Sequence, residues 1–287
     1  MIKSRILVDL TDLEKWTGVH GGIQRVVYGI CKELYLHPPE KKEIHYISFD
    51  SDQQRFYSTS FETIYKRVED SLQNLDTNDI AVTTSFTEKL LAHPIAQKIK
   101  TKLRKTRETE LVRDWAQIKH GDTILILGMS WEAPSMQYEL ARLRSAKKIK
   151  VVQVVYDLVI SLYPHLHHPA NFEPYTNNMI EILKSSDVLL SISRSTEKDL
   201  KLFASQRSLS CPLTRVIRLS DSSVEVSGVA TKPSNEIDKE FIACIGTVEV
   251  RKNHTLLYYA YKLAAERGID LPQLVIIGGR GWYTGDL

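Results

Sequence analysis

Apolar residues along this chain fall alternately into short continuous runs and into stripes of helical spacing, the pattern of strands alternating with helices. Arg5 to Leu10 (RILVDL) predicts a first strand, Ile44 to Phe49 a second and Thr123 to Leu127 a third. From Val151 to Pro164 (VVQVVYDLVISLYP), near-continuous valines predict the centre of a parallel sheet, buried on both faces. Further strands are predicted over Val188–Ile192 and Val216–Leu219. Between them, Ile23, Val26, Val27, Ile30 and Leu34 mark one face of a helix that Pro38-Pro39 closes. Tyr138, Leu140, Ala141 and Leu143 mark a shorter one, and Thr196-x-x-Asp199 reads as a capping box after a turn at Ser193. Near the end, Phe241 to Ile245 predicts a buried strand. Asn253 then serves as the N-cap of a helix carrying Leu256, Leu257, Ala260, Leu263 and Ala264, which stops at Gly268. Leu274 to Ile277 forms the next strand, and residues 51–120 carry the weakest pattern.

This order predicts an α/β protein: a doubly wound, Rossmann-like domain over 1–220, a linker over 221–239, and the first β-α-β unit of a second domain over 240–287. The linker, DSSVEVSGVATKPSNEIDK, mixes Ser, Gly, Pro and charge. At 287 residues, 43% hydrophobic and 25% charged, the composition is that of a globular protein. A net charge of +3 is too mild to imply nucleic acid. No apolar run approaches the roughly 18 residues that span a bilayer. The opening MIKSRILVDL reads as a strand rather than a signal peptide. Cys31, Cys211 and Cys244 are scattered, with no C-x-x-C pair, and fit free thiols in a reducing cytoplasm.

Candidate chemistry gathers where strands end. Arg251 and Lys252 follow the strand at Phe241 and precede a helix start, a strand-turn-helix setting suited to a phosphate. Solvated loop charges are the alternative. Gly21 and Gly22 stand at the first strand-to-helix turn, where glycine lets backbone N–H groups approach a ligand; G-x-G-x-x-G is absent. Asp157, expected at a strand's carboxyl end, either points into the crevice or caps a following turn. His165, His167 and His168 lie in a Pro-flanked segment that lacks the rigid third or fourth ligand of a metal site, and read as a polar loop facing an acceptor. Asp50-Ser51-Asp52 has the D-x-D form of a divalent-metal site but no neighbouring ligands. Ile95, Ile99 and Leu103 lie among six Lys and Arg residues, an amphipathic basic helix near 95–107 that either is solvated or rests on anionic lipid.

GTVEVRKNH followed by IIGGRGW, with YDLVISLYP and GGIQRVV, resembles family 4 glycosyltransferases: retaining, nucleotide-sugar-dependent enzymes of GT-B fold, and among them the bacterial mannosyltransferase-like members that build surface polysaccharide. The resemblance implies transfer of a hexose from a nucleotide diphosphate sugar to a saccharide or lipid-linked acceptor, without a metal. It implies that Arg251 and Lys252 hold the donor diphosphate, with Gly21 and Gly22 opposite and Asp157 orienting acceptor or sugar. Glu249 and Asn253 would support the loop, and Arg280 would be a further cation near the phosphate. Tyr156 stands where many members have histidine. A pair of glutamates that binds ribose and sugar in the family falls beyond Leu287, so the resemblance is to an enzyme truncated within its second domain. It further implies a cytoplasmic protein, with peripheral contact at the inner face of the membrane through the basic helix.

The rival class is a degenerate, non-catalytic module that binds a glycan or a partner. A Rossmann oxidoreductase would need the glycine fingerprint and a ribose-binding acid, and an α/β-hydrolase would need G-x-S-x-G; neither is found.

Overall fold

A computed structural model describes residues 4–14, 16, 21–77, 113–219 and 240–281. Strands β1 (Ser4–Asp9), β2 (Lys42–Asp50), β3 (Arg55–Thr59), β4 (Thr123–Ile126), β5 (Lys150–Val155), β6 (Val188–Ser191) and β7 (Leu213–Val216) form one sheet in the order β3-β2-β1-β4-β5-β6-β7. All neighbours are parallel except the β2–β3 hairpin. Helices α1 (Gly22–Leu36), α2 (Phe61–Thr77), α3 (Ser135–Lys147), α4 (Val159–Leu162), α5 (Pro169–Ser185) and α6 (Arg194–Gln206) connect or flank these strands. Strands β8 (Phe241–Ile245) and β9 (Gln273–Ile277) make a separate parallel pair joined through α7 (His254–Glu266). The predicted basic helix near 95–107 and the linker over 221–239 lie outside the described residues.

Strand order follows from burial on both faces. In β1, Leu7 packs with Ile47, Ile124, Ile126 and Val151 under Met136, Leu140 and Leu143 of α3. Its neighbour Val8 faces the other way, into a cluster with Val27, Tyr28 and Cys31 of α1 and Phe61, Ile64 and Val68 of α2. Successive strand residues point to opposite faces, so covering both faces makes every position apolar and yields the continuous runs seen in the sequence. Order reverses between β1 and β4: β1 leads outward through β2, while β4 leads outward through β5, β6 and β7.

A buried polar network crosses the α3 face. Gln153 of β5 and Gln137 of α3 exchange hydrogen bonds at 2.9–3.0 Å, and Gln153 Nε2 also donates to Ser185 Oγ and Ser186 Oγ. Arg144 of α3 donates through Nε and Nη2 to Asp187 Oδ1, and Asp187 Oδ2 accepts from the Val151 amide at 2.8 Å. These bonds pin α3 and the α5–β6 turn to the start of β5.

Several predicted elements differ. The run at Val151–Pro164 is not one strand: β5 ends at Val155, α4 covers Val159–Leu162 and a single 3-10 turn covers Pro164–Leu166. The cap of α6 is Ser193, whose Oγ accepts the Thr196 amide at 3.0 Å, not Thr196 with Asp199. The last strand of the large sheet is Leu213–Val216 rather than Val216–Leu219. In α3, Tyr138 points to solvent at 66% exposure, while Met136, Leu140 and Leu143 form the buried face. The strand at Phe241–Ile245 exists, but Phe241, Ile242 and Ile245 are exposed rather than buried.

The chain divides into two compact units, Met1–Tyr156 with Glu181–Val226, and Asp157–Ile180 with Ser227–Leu287. No helix among the described residues is long and apolar enough to cross a membrane.

Candidate functional site

In open α/β sheets a ligand sits outside the carboxyl ends of strands, where strand order reverses. In the first unit that place lies between β1 and β4. At the end of β1, Asp9 is 4% exposed and its Oδ1 accepts from Thr11 Oγ1 at 2.5 Å and from the Thr11 amide at 3.3 Å. Thr11 Oγ1 in turn accepts the Phe49 amide at 2.8 Å, which ties this corner to β2. Asp12 accepts the backbone N–H of Met129, just after β4. A Cβ on Gly128 would collide with the Asp12 carboxylate, so glycine permits that closure. Burial pushes the Asp9 carboxyl up to about 7, against the Thr11 hydrogen bonds that lower it. Burial likewise raises Asp12 to about 6.

Gly21 and Gly22 begin α1 in this same unit. Gly21, with φ of 85°, is the residue before the helix, and among the described residues no side-chain cap bonds its first turn. A side chain at Gly21 would be strained by that φ and would strike Gln24, whereas one at Gly22 would meet nothing within 4 Å. Gly21 is therefore required by backbone geometry and Gly22 is not. The first-turn N–H groups of α1 remain available to an anion.

The second unit holds the other predicted residues. Loops leaving β8 and β9 are zipped together at the strands' carboxyl ends: Gly246 N–H donates to Ile277 O at 2.9 Å, Val248 N–H to Gly279 O at 2.9 Å, and Gly281 N–H to Val248 O at 2.8 Å. A Cβ at Gly278 would overlap the Gly246 carbonyl, so this approach needs glycine. Arg251 and Lys252 end a 3-10 turn, Val250–Lys252, that runs into α7, and Arg280 pairs with Val248 across the zipped loops. All three cations thus stand at one end of the β-α-β unit. Arg251 is ion-paired to Glu249, which is 1% exposed. Neither Lys252 nor Arg280 forms an ion pair among the described residues, and both are exposed. Asn253 sits at the N-cap position in the left-handed conformation, φ 52°, and its side chain makes no capping bond. That conformation, which Asn tolerates, directs the turn but removes the side chain from the helix amides. His254 is buried in the first turn, its Nδ1 without a hydrogen-bond partner.

Asp157 lies two residues past β5 and is exposed. Its Oδ1 accepts the Val159 amide at 3.2 Å, capping the turn into α4, and its carbonyl accepts from Tyr175 Oη. His167 is buried within the same unit. Its pKa is held below the ordinary value by burial first and by the Arg251 guanidinium second, with Glu249 and Asp157 pulling it back up. His165 and His168 are exposed. At the D-x-D, Asp50 Oδ1 accepts the amides of Asp52 and Gln53 at 2.9 Å and its other oxygen pairs with Arg113: it is the cap of the β2–β3 turn.

Two acids at the β1–β4 reversal were not singled out from sequence, because TDL after a strand reads as an ordinary turn. Their signal was placement: Asp9 alone interrupts the apolar run RILVDL. Comparison with models of known protein families and with curated proteins finds no match to this chain.

Proposed function

We propose that this chain is part of a retaining glycosyltransferase of GT-B type, moving a hexose from a nucleotide diphosphate sugar to a saccharide or lipid-linked acceptor. The observation that carries this reading is the cation cluster at the carboxyl end of β8 and β9, where Lys252, two residues before α7, and Arg280 form no ion pair among the described residues. Unpaired cations against the positive end of a helix repel it, and a diphosphate relieves both. As the bond between the anomeric carbon and the diphosphate oxygen breaks, charge grows on the leaving group, and Lys252, Arg280 and Arg251 would stabilise it there. Glu249 would hold Arg251 in place, and His167, kept neutral, would leave that guanidinium's charge undiluted. Asp157 would accept a hydroxyl of acceptor or sugar through the oxygen not used in its turn.

Incubation with nucleotide sugars and released-diphosphate detection tests the reading. Slow donor hydrolysis that disappears in Lys252→Ala is expected; nucleotide sugars left intact by the native gene product, with acceptor present, would overturn it. A non-catalytic glycan- or partner-binding module is the second reading. It is favoured by the exposed apolar residues Phe241, Ile245, Leu256, Tyr259 and Leu263 on the second unit.

A further inference from the structure

In the second unit β8 pairs with β9 along one edge, and among the described residues its other edge is open. Gln273 N–H donates to Glu240 O at 3.3 Å at one end of the pair, and Gly246 N–H donates to Ile277 O at 2.9 Å at the other. Even-numbered residues of β8 therefore turn their backbone groups to β9. By the alternation of a strand, Phe241, Ala243 and Ile245 turn theirs to the open edge. No charge, proline or bulge interrupts FIACI, and those are the devices that keep an edge from pairing. The outer edge of β9 is poorer: it starts at Pro272, which has no N–H, and offers only Leu274 and Ile276. On α7, Leu256, Tyr259 and Leu263 recur at helical spacing and are exposed, an uncovered apolar stripe.

We propose that the open edge of β8 binds a second copy of this chain, β8 to β8 and antiparallel, about a two-fold axis at Ala243. The strand is self-complementary in that register. Ala243 faces the partner's Ala243 and Phe241 faces the partner's Ile245, and each pair exchanges its two backbone hydrogen bonds. Phe241 against Ile245 is an aromatic–β-branched cross-strand pair, and the smallest side chain lies on the axis. Glu240 falls opposite the partner's Gly246, so no like charges meet. Strands about 4.8 Å apart put α7, the crossover helix of the β8–β9 pair, about 10 Å from its copy, the distance at which helices pack. Phe241, Ile242, Ile245, Leu256, Tyr259 and Leu263 are 45–78% exposed. Together they offer on the order of 500–600 Å² of apolar surface. With the backbone edge this approaches the roughly 800 Å² per partner of a standard interface. A two-fold contact closes on itself, so assembly stops at the dimer. None of this depends on what the cation site binds.

Sedimentation equilibrium of the full chain across roughly 1–100 µM tests the proposal. A mass that doubles and stops there is expected. Ala243→Pro removes an outward N–H that β9 does not use, and Ile245→Lys puts a charge at an exposed position. Each is expected to weaken dimerisation by about tenfold or more, with circular dichroism and Tm at low concentration matching the native chain. Should Ala243→Pro fail to fold, Ile245→Lys carries the test alone. A native chain that stays monomeric throughout overturns the proposal and leaves the edge to a different polypeptide. A dimer that neither variant weakens, or a mass that keeps rising past two copies, contradicts the β8 pairing.

Discussion

Among the described residues Lys252 and Arg280 form no ion pair, whereas Arg251 is already committed to Glu249. Their removal therefore separates binding from architecture. Lys252→Ala is expected to leave the Tm within a degree or two while weakening nucleoside diphosphate binding by about 10-fold or more, the loss of one charge-assisted contact. Glu249→Ala is expected to lower the Tm instead, because it strands the Arg251 guanidinium; thermal melts of the two variants distinguish these roles. Asp9 poses a different question. Its folded pKa is raised, so between about pH 4 and its folded value of about 7 the unfolded chain is ionised while the native carboxyl stays protonated. Native stability is lost as pH rises through that window. Asp9→Asn keeps an oxygen for Thr11 and removes the charge, and is expected to stabilise the protein at pH 8 by roughly 2–4 kcal/mol and hardly at all at pH 4. Urea melts at the two values check it. His167 runs the other way: with its pKa held down by burial, stability is intact above about 6.5, the ordinary value, and falls as pH drops below it. His167→Gln is expected to flatten that acid-side decline.

Among the elements, the strands were the most legible in the sequence. Runs such as RILVDL and TILIL reflect burial on two faces, which favours continuous apolar residues. What was hidden is instructive in each case. VVYDLVISLYP reads on as strand because its apolar residues do not stop, yet Asp157 takes the Val159 amide and turns the chain, and the later residues pack as a short helix. Nothing in apolar periodicity records a side chain's choice to cap. Helix α5 went unread because Pro169 at its start and Pro174 inside it, among Asn and Thr, break the stripe that marks a helix. The Gln137–Gln153–Ser185 network was equally silent, since a glutamine in a valine-rich strand shows no partner until α3 and α5 are placed over it. Its members satisfy one another, so Gln137→Leu leaves the Gln153 side-chain oxygen without its donor and the Ser185 hydroxyl without its acceptor, and a loss of about 1–3 kcal/mol in equilibrium unfolding is expected. The cation site of β8–α7–β9 was visible from sequence because cations, glycines and a helix start are local. The acids at the β1–β4 reversal were not, because the reversal is a property of strand order.

For the whole molecule, each unit has its own cluster: in the first, buried acids stand at the reversal point of the large sheet; in the second, cations stand at the end of the small parallel pair. Both places lie beyond the carboxyl ends of parallel strands, and each is closed by a glycine where a Cβ would clash, Gly128 in one and Gly278 in the other. The most direct test is calorimetric titration of the protein with GDP and UDP, each against its monophosphate, in the native chain and in Lys252→Ala. The account predicts that a diphosphate binds more tightly than its monophosphate and that Lys252→Ala erases the difference. Diphosphate binding that is absent, or that is the same in Lys252→Ala, would contradict it.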